Sequence, residues 1–120
     1  MNLKYLLSSV AVCAAALSAN AAGVLDLGEM KPDVPYEYQL LVPVMGYYTP
    51  EESGIMKTYC TGDGIGVYRD ADHQDEIFSQ QYFYTAAGEK ANIYAVNKGE
   101  TVYFYNPAPI AEGSFRFVVG

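Results

Sequence analysis

Four carboxylates crowd one short polar stretch, Asp70, Asp72, Asp75 and Glu76, with Asp63 in the turn before it. Oxygen donors at that density suit calcium, which takes roughly 6–8 of them from a loop able to fold around it. The Asp-x-Asp start fits such a loop, but the glycine that would permit its sharp turn is missing from 71–76. A solvated charged loop is the simpler reading, and calcium is the one cofactor the sequence raises. His73 is the only histidine; one imidazole can be a metal ligand or a base, but each role needs partners, and there is no second His and no CxxC. Ser53, Ser79 and Ser114 stand in no nucleophile motif. Fourteen acidic residues leave a carboxylate pair for glycoside hydrolysis open. Yet a small sandwich without tryptophan makes a poor cleft for binding a polysaccharide, so a small hydrolase is the weaker alternative. No catalytic residue is assigned, and the chemistry expected is binding.

Tyrosine is the stronger compositional signal. The chain has 12, and each combines a flat apolar ring with one hydroxyl, which suits half-buried strands and binding surfaces alike. Tyr47 and Tyr48 are adjacent beside Pro50 and are the first candidates for ligand binding. Strand periodicity puts Tyr82 and Tyr84 on one face opposite Phe83, and Tyr103 and Tyr105 on one face opposite Phe104. Both faces of these segments are apolar, so the pattern does not choose which of them points inward. An exposed tyrosine face would be a platform for sugar rings or for another protein.

The elements that must position these residues begin after a leader. Lys4 precedes an uncharged apolar run, Leu6–Leu17, and Ala19-Asn20-Ala21 offers small residues where a signal peptidase reads them. Residues 1–21 are therefore expected to be a signal peptide, too short to span a bilayer, which takes about 20 apolar residues. Val12 stands where a lipoprotein would need a small residue before Cys13. The expected location is periplasmic, cell-surface or extracellular, without membrane insertion. The net charge of −7 excludes nucleic acid as a natural partner, because phosphate is bound by basic side chains. Beyond the leader only Cys60 remains, so no intramolecular disulfide can form despite an oxidising compartment. A small buried strand residue is its simplest role.

Residues 22–120 are the length of one domain. Alternation and turn chemistry predict short strands over Val24–Leu27, Tyr36–Val42, Gly54–Cys60, Ile65–Arg69, Ile77–Thr85, Asn92–Val96, Thr101–Asn106 and Ser114–Val119. Pro43 to Ser53 and Asp70 to Glu76 read as the two long loops. Asn97-Lys98-Gly99-Glu100 reads as the turn of a hairpin in which Gly99 takes positive φ, and Thr61-Gly62-Asp63-Gly64 as another hairpin turn. No helical period appears outside the leader. The sum is an all-β chain, a single antiparallel β-sandwich of jelly-roll or Greek-key style with about eight strands.

Thr61-Gly62-Asp63-Gly64-Ile65-Gly66-Val67-Tyr68 and Tyr94-Ala95-Val96-Asn97-Lys98-Gly99-Glu100-Thr101-Val102-Tyr103 resemble the bacterial pre-peptidase C-terminal domain family. There a Gly-Asp turn opens a strand and a Tyr-x-Val-x-x-Gly-x-Thr-x-Tyr segment follows. Gly64 and Ile65 occupy the place of that family's usual second acidic residue. The resemblance covers less than half of residues 22–120, and it implies a secreted β-sandwich serving as a non-catalytic accessory. The expected partner is an extracellular glycan or another surface protein.

Overall fold

The computed structural model describes residues 23–38, 41–62, 64–108 and 112–120. The leader expected over 1–21 and Asp63 lie outside these residues. Among the described residues there is no helix, and so none long and apolar enough to cross a membrane. The strands are β1 (Leu25–Glu29), β2 (Tyr36–Tyr38), β3 (Val44–Tyr48), β4 (Gly54–Cys60), β5 (Gly66–Tyr68), β6 (Gln81–Tyr84), β7 (Lys90–Val96), β8 (Val102–Asn106) and β9 (Gly113–Val119). They form a four-stranded sheet in the order β1-β3-β8-β5 and a five-stranded sheet in the order β2-β9-β4-β7-β6. Every pairing is antiparallel except that of β1 with β3. The all-β expectation holds.

Alternation decides what is buried. Along β8, Val102, Phe104 and Asn106 are buried while Tyr103 and Tyr105 are half-exposed. Along β9 the buried positions are Gly113, Phe115 and Phe117. Phe104 of one sheet meets Phe115 and Phe117 of the other at centroid distances of 5.0 and 5.1 Å. Met56, Cys60, Val67, Tyr94 and Val96 belong to the same cluster, as do Met30, Tyr38, Val44, Ile65 and Val102. Among the polar side chains that enter this core, the Tyr94 hydroxyl hydrogen-bonds Thr58, and burial pushes its pKa up to about 12, whereas the buried Asn106 Nδ2 has no hydrogen-bond partner among the described residues. Burial likewise raises the Cys60 thiol, which lies inside the cluster and not at a surface where it could pair with another chain.

Three expectations are corrected. The segments Gly54–Cys60 and Ile65–Arg69 do not pair with each other, and neither do Asn92–Val96 and Thr101–Asn106. In both cases the turn carries the chain from one sheet to the other. Of the connections between these strands, only β6–β7 stays within one sheet. Gly99 does adopt positive φ, 79°, but its N–H donates to Pro50 C=O at 2.9 Å. The Lys98 N–H donates to Ser53 Oγ at 2.9 Å. The turn docks on the 50–53 segment instead of closing a ladder.

The second correction adds a strand. Pro43 to Ser53 is not one loop, because β3 occupies Val44–Tyr48. Gly46 reads in sequence as a turn residue, but its function is close approach. A Cβ there would run into the Met30 side chain and come within 3.3 Å of Gly28 C=O. The third correction shortens Ile77–Thr85 to Gln81–Tyr84. The Ser79 hydroxyl donates to Gln81 C=O and accepts the Ile93 N–H, so a side chain replaces the ladder where the strand would have begun.

Replacing Gly46 with alanine tests the close approach. Overpacking of this kind typically costs about 1–3 kcal/mol, so Gly46→Ala should lower the urea midpoint by that equivalent with an unchanged m-value. An unchanged midpoint would show that Met30 does not fill the space above Gly46.

Candidate functional site

Because Phe104 points into the core, Tyr103 and Tyr105 must point out, and β8 is a central strand of its sheet. Its neighbours add to the same outer face. The register aligns Tyr47, Tyr103 and Tyr68 in one row across β3, β8 and β5, and Met45, Tyr105 and Gly66 in the next. Tyr47 and Tyr103 lie 6.3 Å apart with ring planes inclined by 40°. Tyr68 folds back over Gly66, where a Cβ would strike its ring. That brings it edge-on to Tyr105 at 6.4 Å. Desolvation, then the Glu76 charge, raises the Tyr68 hydroxyl above its ordinary value.

The acidic segment between β5 and β6 supplies the remaining ring. Arg69 N–H donates to Asp75 C=O at 2.8 Å, and Ile77 N–H to Val67 C=O at 2.7 Å, so the segment returns along β5. Inside the turn the Asp70 carboxylate accepts the N–H groups of Asp75 at 2.8 Å and Gln74 at 3.0 Å. Those hydrogen bonds favour the charged form and hold the Asp70 pKa below its ordinary value. His73, at φ 57°, is delivered onto Tyr105, stacked at 4.2 Å with the planes 5° apart.

Of the four acidic residues raised as calcium ligands, Asp70 is thus turned inward to its own loop, and Asp75 pairs with Arg69 at 3.3 Å. Asp72 is exposed, and Glu76 bridges the backbone of Tyr68. Among the described residues, no three His, Cys, Asp or Glu side chains gather in a way that could hold a metal ion. Tyr47 and Tyr48 do not act together, since neighbours on a strand face opposite ways. Tyr47, 38% exposed, belongs to the outer row, whereas Tyr48 turns inward onto Phe117 at 5.0 Å.

Beside the row lies an open groove of about 440 Å³ at the β7–β8 turn. Tyr103 gives it an aromatic wall, while Arg69, Asn97, Glu100 and Thr101 give it polar groups. The Asn97 amide donates to Glu100 Oε1 at 3.0 Å, and Thr101 Oγ1 lies 2.7 Å from Thr49 Oγ1. Sequence reasoning reached Tyr103 and Tyr105 as a shared face but not Tyr68, His73 or the groove. The one available signal was the Tyr-Phe-Tyr alternation of β8. The assembly offers ring faces to C–H groups, and donors and acceptors to hydroxyls, in one continuous surface. Comparison with known protein families, with curated proteins and with solved structures finds no match to this chain.

The loop's role as a holder of His73 can be tested by titration. With its folded pKa depressed, Asp70 contributes stability above its unfolded pKa, and that contribution is lost as pH falls through the folded value. The His73 ring-current shift from Tyr105 should collapse as Asp70 protonates, and should be absent at neutral pH in Asp70→Ala. A shift that survives in Asp70→Ala would show that the stack does not depend on this carboxylate.

Proposed function

We propose that this chain is an exported β-sandwich module, jelly-roll-like in style, that binds carbohydrate without transforming it. One observation carries the reading: Tyr47 and Tyr103 lie side by side on an outward face, with Tyr68 in register beside them and folded onto Tyr105, and Tyr103 also walls a groove equipped with Arg69, Asn97, Glu100 and Thr101. A sugar ring has apolar C–H faces and a rim of hydroxyls, and this surface answers both. The leader-like residues 1–21 support export. The resemblance to a secreted accessory family supports a supporting role beside other surface proteins.

Non-catalytic binding accords with the chemistry available. The single imidazole is occupied in a stack with Tyr105. Burial raises the pKa of the Cys60 thiol, the opposite of the direction a nucleophile requires. The reading calls on no metal. In it the Asp70 loop serves to keep His73 over Tyr105 and to hold the end of the tyrosine surface in place.

The test is titration of the purified chain with soluble polysaccharides of differing backbone, after a glycan array has identified a class. Tyr103→Ala should weaken binding about tenfold or more, equivalent to about 1.4 kcal/mol, with little change in melting temperature. Tyr47→Ala should act in the same direction. Tyr48→Ala should instead lower stability by about 2–4 kcal/mol, as loss of a core-packed ring does. An array blank across neutral, acidic and amino sugars would refute the proposal.

A further inference from the structure

The strand β6 is an edge strand whose four residues are all exposed. Tyr82 is 60% exposed, Phe83 39% and Tyr84 67%, with Phe78 just before them at 79%. Edges with unpaired backbone groups are normally blunted by charge, proline, a bulge or a covering loop. The other three edges are treated this way. Asp26 and Glu29 flank a register break in β1, and β2 is three residues long, carries Glu37 and follows Pro35. The returning segment at Glu76 and Ile77 covers β5. Among the described residues β6, itself only four residues long, has no charge, proline, bulge or covering loop.

The ladder fixes which backbone groups are available. Thr85 N–H donates to Glu89 C=O at 2.8 Å, and Phe83 pairs with Ala91. Alternation in an antiparallel pair therefore turns the N–H and C=O of Phe83 toward β7, and those of Tyr82 and Tyr84 toward the open edge. From these observations we infer that β6 pairs antiparallel with β6 of a second copy about a two-fold axis through Phe83. Tyr82 then exchanges both backbone hydrogen bonds with Tyr84 of the second copy, and Tyr84 with its Tyr82. The two Phe83 rings meet at the axis as a non-hydrogen-bonded pair, where side chains approach most closely.

Two features select a second copy as the occupant. Residues 77–88 carry no charge, although the chain as a whole has a net charge of −7. Glu76 and Glu89 bound this neutral strip, and the Lys90 ammonium nearest to it lies 4.9 Å over the Tyr82 ring. Two like-charged molecules therefore meet with least repulsion along this edge. The area is that of a weak, reversible contact. The exposed parts of these four rings amount to roughly 500 Å² per chain, or at most about 1,000 Å² over two copies, the lower bound for a specific interface and the size of a reversible one. Such pairing is isologous, so it closes at a dimer instead of propagating into a fibre.

Sedimentation equilibrium of the purified chain tests this, together with amide exchange. The chain should dimerise reversibly, and the Tyr82 and Tyr84 amides should exchange more slowly as concentration rises. Tyr84→Lys should raise the dissociation constant at least tenfold. Tyr84→Pro should do the same, because it removes an edge donor without touching the β7 ladder. Circular dichroism and melting of the dilute monomer should be unchanged in both. A chain that stays monomeric to about 1 mM would overturn the inference. So would a dimer indifferent to both substitutions, or a monomer whose β6 edge takes up only an unrelated extended peptide.

Discussion

The contact between Phe104 and the pair Phe115 and Phe117 is the constraint on which the remaining structure depends. It joins a central strand of one sheet to the strand beside β4 in the other. Burying a phenylalanine contributes about 1.5–3 kcal/mol relative to leaving it exposed, and truncating one to alanine in a packed core costs about 3–5 kcal/mol. Around this contact the chain changes sheets at every strand connection except β6–β7. Neither sheet can be assembled from a continuous piece of sequence, because each needs strands drawn from both halves of the chain. Met56 pairs with Val119 across β4 and β9, and Val67 with Phe104 across β5 and β8. Loop closure must precede such contacts, so their formation is slow and cooperative.

The outer tyrosine surface is the other side of the same constraint. With Phe104 inward, Tyr103 and Tyr105 have no alternative to facing out, and the register with β3 and β5 adds Tyr47 and Tyr68. Gly46 permits Met30 to lie against β3, which seats the strand that carries Tyr47. The acidic loop after β5 spends its charge locally: Asp70 is satisfied by backbone N–H groups and Asp75 by Arg69. The outcome is a positioned His73. The exposed ion pair itself is worth little. The backbone hydrogen bonds around Asp70 do the positioning.

Much of the strand content was legible because alternation in segments such as Val102–Asn106 and Ser114–Val119 is strong, and turn residues separate them. What alternation does not encode is the destination of a turn. Asn97–Glu100 has the composition of a hairpin loop, and Gly99 has the positive φ such a loop requires. Yet the flanking strands belong to different sheets, and the turn's N–H groups go to Pro50 C=O and Ser53 Oγ, far away in sequence, instead of closing a ladder. β3 was hidden for a related reason. Gly46 and Pro43 suggest a loop when read locally, and only the position of Met30 explains the glycine. For the site, adjacency in sequence pointed to Tyr47 and Tyr48 together, whereas a strand sends neighbours to opposite faces. Tyr68 and His73 meet Tyr105 through register and loop closure, which no local spacing records.

Native-state hydrogen exchange in low denaturant tests most directly whether the inter-sheet phenylalanine contact binds the two sheets into one unit. The central amides of β8 in one sheet and of β4 and β9 in the other should share a single opening free energy, equal to that of global unfolding. Two separate sets, with β3 and β8 opening while β4, β7 and β9 remain protected, would contradict the account.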